Sequence, residues 1–393
     1  MSKKGSGRRG NGAGSLIPVD GGYLARVKLP NGKYKGHRVK TKAEGQRWLT
    51  EQLHTLNIGG AIVTTDQTVK VFLEGWLARK KHDVEYGTWC TYRWRIGHVI
   101  RALGAVKLTK LTALQLSDFY NGLLDKGLKA NYVRGIHTAL KQALGNAEAL
   151  ELVARNVAAR TPAPRAQETD RRAFTLEQLQ TALDTAKASD DRLYALWLLL
   201  ATTGMRQGEA RALQWPDVDL AAGTVTINGT LKRAESGSKT KRVIGRPKTR
   251  SSRRVIQLRP IVVDALHTHK ARQAQEKLAS GLGDAWGGLA PARELVFTDR
   301  YGNDLEGGVL QQRRFMPLLE RAGVPHLPIH CLRHTYATLA LMAGEPLHVV
   351  SATLGHANPA MTLQVYAHVQ PTMPHQAAET LRRDFLAVVA FAA

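Results

Sequence analysis

The sequence predicts a multidomain, mainly α-helical protein with small β elements, and three observations carry that reading. The 393 residues exceed what one ordinary core accommodates. A period-two stretch near the start gives way to three-and-four spacing. A proline- and arginine-rich stretch, residues 157–172, then separates the helical part from a last segment in which helical and strand-like patterns mix as α+β. The predicted parts are a basic disordered tail (1–15), a three-stranded sheet plus helix (16–62), a helical domain (66–156), a linker (157–172) and a final domain with its C-terminal tail (173–393).

In "GGYLARVKLPNGKYKGHRVKT", apolar and polar residues alternate on either side of Asn31-Gly32, a strong hairpin signal. Thr41 and Glu44 have the spacing of a capping box, so a helix follows the strands. Arg26, Lys28, Lys33, Lys35 and Arg38 crowd these strands at a density that favours phosphate contact over a merely solvated face. From Thr68 onward, Val69, Phe72, Leu73, Trp76 and Leu77 mark the apolar stripe of the first of four or five helices. Within that module, "YGTWCTYRWRIGHVIR" interleaves Trp89, Tyr92 and Trp94 with Arg93, Arg95 and Arg101. The aromatic residues read equally as core or as stacking platforms, and the arginines as DNA-facing.

The final domain opens at "TLEQLQTALDTA", with Thr175 as cap and Glu177 in the first turn. An apolar helix, "LYALWLLLATTG", stops at Gly204, and a second helix opens at Met205 or Arg206. Arg206 therefore sits near a helix start, a natural phosphate site, with Glu209 three residues on to orient it. The strand-like "RVI" and "RRVIQL" flank "GRPKTRSS", which is expected to bridge them as a basic β-turn or a longer hairpin, and a hairpin would let Lys248 reach into a groove. Further on, "IHCLRHT" opens a helix with His330 and Arg333 on one side and His334 expected to point elsewhere. "PLHVVSATLGH" reads as a short helix from Pro346 to Gly355, with His356 after the stop, and "NPAMTLQVYAHV" as a helix capped by Asn358 that carries Tyr366.

Composition narrows the function. Lysine and arginine number 56 against 32 acidic residues, a net charge of +24. The charge is clustered: 12 basic and 2 acidic residues in the first 50, and 10 and 1 in residues 232–254. Clustering on this scale points to a polyanion, with nucleic acid foremost. Two cysteines, Cys90 and Cys331, are too few for a disulfide scaffold or a four-ligand zinc site. His326, His330 and His334 recur every four residues as in helical zinc sites, but Pro328 breaks the helix that such a site needs, so no metal is expected. No apolar run is long enough to span a membrane and the N-terminus lacks a signal-peptide core, which predicts a cytoplasmic protein.

Taken in order and spacing, "TTGMRQGEA", "PKTRSSRR", "HCLRHTYAT", "LGH" and "VYAH" resemble the catalytic domain of the tyrosine recombinases, the phage integrase family, over roughly residues 172–370. The N-terminal sheet resembles an arm-type DNA-binding domain and the helical module a core-binding, SAM-like domain. The resemblance implies Arg206, Lys248, His330, Arg333 and His356 as catalytic residues, Tyr366 as nucleophile and Glu209 as supporting acid. It also implies a site-specific recombinase that works through a 3′-phosphotyrosyl intermediate without metal, ATP or other cofactor. Its partners would be double-stranded DNA with core-type and arm-type sites, three sister subunits in a homotetramer, a DNA-bending host factor and an excisionase, all in a bacterial host. Where the commonest family form has Asp, this chain has Cys331, a departure that bears on packing or ion pairing. The rival readings are a type IB topoisomerase-like nicking-closing enzyme and a DNA-binding regulator with a vestigial site.

Overall fold

The computed structural model describes residues 14–28, 34–57, 66–167, 172–236, 239–245, 253–287 and 294–356. The chain divides into two compact units, residues 1–168 and 169–393.

The first unit begins with strands β1 (Ser15–Val19), β2 (Gly22–Lys28) and β3 (Tyr34–Val39), antiparallel in the order β1-β2-β3. Helix α1 (Lys42–Asn57) follows. Thr41 and Glu44 form the expected reciprocal cap, each backbone N–H donating to the other's side chain at 3.2 Å. Ala25 and Val27 on β2 and Leu49 on α1 close a small core. Because facing residues of an antiparallel pair share a face, the register Val27↔Lys35 turns Lys35 toward the helix, whereas Arg26↔Gly36, Leu24↔Arg38 and Lys28↔Tyr34 set the other basic side chains on the open face. The expected Asn31-Gly32 turn and Lys33 lie outside the described residues.

Among the described residues, five α-helices follow in this unit: α2 (Val69–Asp83), α3 (Tyr86–Leu103), α4 (Ala113–Asp125), α5 (Ala130–Ala149) and α6 (Val157–Arg160). Thr68 caps α2, and Thr112 with Gln115 caps α4. Their apolar stripes meet in one core that includes Phe72, Leu73, Trp76, Ile96, Leu116, Ile136 and Leu140. Trp76 reaches Asn146 through its indole N–H at 2.7 Å, which satisfies the one polar atom its burial would strand. The stretch expected to be an exposed linker, residues 157–172, opens with the short helix α6. Asn156 caps α6, Ala158 is fully buried, and Arg134 donates to the Pro164 carbonyl at 2.8 Å, so the segment's first part folds onto α5. A stretch that is polar and proline-rich reads as linker; its few small apolar residues suffice to pack here.

The second unit is built around α8 (Tyr194–Thr203), in which every residue from Ala195 to Ala201 is buried. A helix apolar on all sides has to sit in the middle of its domain. Around it lie α7 (Leu176–Ala188), α9 (Gln207–Ala210), α10 (Pro260–Ser280), α11 (Gly307–Leu310), a π-helical turn (Gln311–Phe315), α12 (Met316–Arg321), α13 (His330–Met342) and α14 (Leu347–Leu354). Cys331 is buried in this core, where the thiol packs as a small apolar group.

The strands differ from expectation. β4 (Val218–Asp219), β5 (Thr224–Ile227) and β8 (Arg254–Gln257) form one antiparallel sheet, and β6 (Thr230–Ser236) pairs with β7 (Lys239–Gly245) in another. The "RVI" strand β7 therefore pairs backward with β6, Ser236 opposite Lys239, and "RVIQ" in β8 pairs with β5. β7 and β8 thus belong to different sheets, and residues 246–252, with Lys248, lie outside the described residues. Short β-branched runs carry no information about which partner they choose, and β6, nearest in sequence, closes the shorter loop.

Candidate active site

Gly204 ends α8 in the left-handed conformation, φ +61°. A Cβ there would lie 2.5 Å from Cδ1 of Tyr336 and 2.8 Å from Leu354, so only glycine lets α13 and α14 close against this turn. Its carbonyl oxygen accepts from Arg333 Nη1 at 2.8 Å, and Arg333 is 4 % exposed. Two residues on, Arg206 precedes α9, and Glu209 holds it twice: Oε2 accepts from the Arg206 backbone N–H and Oε1 from its Nη1, both at 2.9 Å. Glu209 also accepts from Arg254 Nη2 at 2.9 Å. Burial alone would raise the Glu209 carboxyl's pKa, but hydrogen bonding and charge from Arg254, with Arg206 behind it, carry it below its ordinary value.

Helix α13 brings His330 and Arg333 into the same neighbourhood. Partial burial first, and then the positive fields of Arg333 and Arg206, lower the His330 pKa. His334 is not turned away as expected: its ring lies edge-on to that of His330, centroids 4.9 Å apart. Residues four apart on a helix stack on one face, and here that spacing outweighs the splay expected of them. His356 follows the left-handed Gly355 that stops α14, its backbone N–H bonded to the Ser351 carbonyl at 3.1 Å. Its pKa falls to about 4, through burial first and then the charges of Arg333, Arg206, Arg254 and His334. Arg206 Nη2 also reaches toward the Gly355 carbonyl, at 3.5 Å.

Five of the expected residues, Arg206, Glu209, His330, Arg333 and His356, are thus gathered from α8–α9, α13 and α14. Lys248 and Tyr366 lie outside the described residues, as do Asn358 and the helix expected to carry the tyrosine. Among the described residues no group of three His, Cys, Asp or Glu side chains is placed to hold a metal ion, and no helix is long and apolar enough to cross a membrane. What gathers here is a pair of guanidiniums beside two imidazoles whose pKa values are lowered, a set of donors chemically suited to a phosphate.

Residues 172–373 match the phage integrase family, and residues 68–124 match its N-terminal SAM-like domain. The tyrosine recombinase XerC-like protein of Caldanaerobacter subterraneus subsp. tengcongensis is 30% identical over 365 residues, 88% of this chain and 91% of the relative.

The chain belongs to the phage integrase family of tyrosine recombinases.

An integrase of Streptomyces ambofaciens is likewise 30% identical, over 88% of each chain. The recombinase shares its fold with the Tn1549 transposon integrase, solved with a circular intermediate DNA, at TM-score 0.62 and 18% identity over 81% of this chain and 99% of that one. It also matches lambda integrase, solved as a dimer on a core site, at TM-score 0.55 and 17% identity over 94% and 99%. Membership makes the chain a site-specific recombinase, an enzyme that cleaves and rejoins DNA strands.

The DNA-contact candidates divide. Arg26 lies over the Tyr34 ring, 4.4 Å from its centroid, on the open face of the sheet. Lys35 instead donates to Gln52 of α1 at 3.3 Å, and burial lowers its pKa, so it is tied to the helix side. Arg93 is exposed and lies over Trp89, 4.8 Å from the ring centroid, while Arg95 is half-buried against Gly135 of α5. Of the aromatic residues left open between core and surface, Trp89 donates to the Leu77 carbonyl at 2.9 Å and Tyr92 to Gln142 at 2.7 Å, whereas Trp94 is 56% exposed.

Sequence reading missed Arg254, one of ten basic residues in its neighbourhood. A signal was present: Ile256, two residues on in a strand, is an apolar side chain bound for the core, and period two puts Arg254 on the same face. A charge directed inward requires a buried partner.

Proposed function

We propose that the recombinase cleaves DNA through Tyr366, forming a 3′-phosphotyrosyl link and releasing a 5′-hydroxyl that later attacks the link to rejoin a strand. The phosphodiester energy is retained in the covalent bond, so rejoining needs no nucleotide cofactor. Arg206 and Arg333 donate to the non-bridging oxygens as the pentavalent phosphorane gains charge, a type of contact in which loss of one well-placed donor costs ~3 kcal/mol. Lys248 gives its proton to the departing 5′-oxygen. His330 takes the proton of the phenol, and His356 donates to the phosphate. The observation that carries this reading is the convergence of two guanidiniums and two imidazoles from three separated stretches of chain, with Glu209 orienting Arg206.

In this reading the enzyme integrates or excises a phage or other mobile element in a bacterial cytoplasm, as a homotetramer on paired core-type sites. The open face of the N-terminal sheet holds arm-type DNA through Arg26, Lys28 and Arg38, and Arg93 and Arg95 contact the core site. A DNA-bending host factor and an excisionase set its direction.

The test is a suicide half-site in EDTA, built on attachment DNA mapped by footprinting. A denaturation-resistant protein–DNA adduct is expected from the wild type and none from Tyr366→Phe. An adduct that survives in Tyr366→Phe, or cleavage that stops when divalent metal is removed, overturns the proposal.

A further inference from the structure

Arg254 sits where three parts of the site meet. From β8 its Nη2 donates to Glu209 Oε2 at 2.9 Å and its Nη1 approaches Glu209 Oε1 at 3.4 Å. The opposite edge of the same guanidinium, Nε, donates to the Thr353 carbonyl at 2.6 Å, in the last turn of α14. The side chain is 8% exposed and Glu209 5%. Glu209, for its part, grips Arg206 by both backbone and side chain. In that last turn of α14 the Thr353 hydroxyl donates back to the Val349 carbonyl at 3.0 Å. Directly after that turn come Gly355 and His356.

We propose that Arg254 is a positioning residue that locks Arg206 and His356 into one rigid unit, with Glu209 as the bridge on one side and the end of α14 as the bridge on the other. The inference deepens the proposed reaction and rests on it for the roles of Arg206 and His356. Its described contacts are to Glu209 and Thr353, and through them it acts on Arg206 and His356.

The planar guanidinium is suited to this because it presents a carboxylate fork on one edge and a separate donor on another. A lysine ammonium keeps the charge and one strong contact but does not span Glu209 and Thr353 together. Charge and geometry are therefore separable. If Arg254 served only to neutralise Glu209, Arg254→Lys would act like the wild type. If it sets geometry, lysine fails almost as badly as an uncharged residue, since small displacements of catalytic groups carry rate losses of up to about 100-fold.

The experiment compares full-length wild type, Arg254→Lys and Arg254→Met. In the free protein, the guanidinium Nε–H resonance of Arg206 and the ring resonances of His356 are followed by NMR. On DNA, single-turnover cleavage of the suicide half-site is measured beside equilibrium affinity. The expected result is that both variants mobilise the Arg206 guanidinium and slow cleavage by about tenfold or more, with DNA affinity preserved. Wild-type cleavage by Arg254→Lys overturns the inference, as does an Arg206 resonance as ordered in Arg254→Met as in the wild type. Should wild type itself form no adduct, the proposed reaction fails, and the lock is then decided by the Arg206 resonance alone: mobilisation supports it and an unchanged signal removes it.

Discussion

Arg333 donates from Nη1 to the carbonyl oxygen of Gly204, at 2.8 Å and across 129 residues of chain. The bond joins the left-handed turn that ends the central helix to the helix carrying His330. It makes the placement of a buried cation depend on a backbone conformation that only glycine adopts without strain.

Gly204→Ala should therefore be costly out of proportion to one methyl group. The left-handed conformation and the contacts at 2.5 Å and 2.8 Å both oppose it, and the expected destabilisation is about 2–4 kcal/mol. Urea denaturation measures it. Cleavage by the fraction that remains folded should also fall, because the Arg333 acceptor moves with the turn.

Glu209→Gln leaves Arg254 buried beside an uncharged partner, which should cost ~3 kcal/mol near neutral pH. The folded carboxyl titrates below its ordinary value of 4.5. The native state thus holds fewer protons than the unfolded chain in that range. This contribution is complete above about pH 4.5 and disappears as pH falls through the lower folded value. Denaturation of both proteins over a pH series should show the difference between them closing in acid. A difference that persists unchanged to pH 2 would show that the carboxylate charge is not its source.

His356 has the opposite charge logic. Its pKa moves from 6.5 in the unfolded chain to about 4 in the folded one. As pH drops below 6.5 the unfolded chain takes up a proton that the native site refuses, so stability rises with pH across this window. The loss on acidification from this residue should be on the order of 2 kcal/mol after solvent screening. His356→Gln should flatten the stability profile between pH 4 and 6.5, as measured by denaturant titration.

On the N-terminal sheet, Arg26→Ala, Lys28→Ala or Arg38→Ala should each weaken arm-type DNA binding and lower the slope of log affinity against log salt by about 0.9 for each phosphate left without its cation. Lys35→Ala, on the helix side, should leave that slope unchanged. Affinity titrations at several salt concentrations distinguish the two faces.

Much of this protein was legible before any fold was known. Helix stripes, the caps at Thr41 and Thr175, the glycine stops at 204 and 355, and the change from period two to period 3.6 are local events. Each is set by backbone sterics and by neighbours within a turn or two, so consecutive letters suffice to read them. The resemblance that marked Arg206, Glu209, His330, Arg333 and His356 was likewise carried by short motifs. Tertiary structure alone decided which strands β7 and β8 chose, that Lys35 faces the helix, that residues 157–167 fold back on their own unit, and that Arg254 meets Glu209 and Thr353. Those outcomes depend on partners tens of residues away, selected by burial and by the requirement that every buried charge find an opposite one, and a one-dimensional pattern records neither.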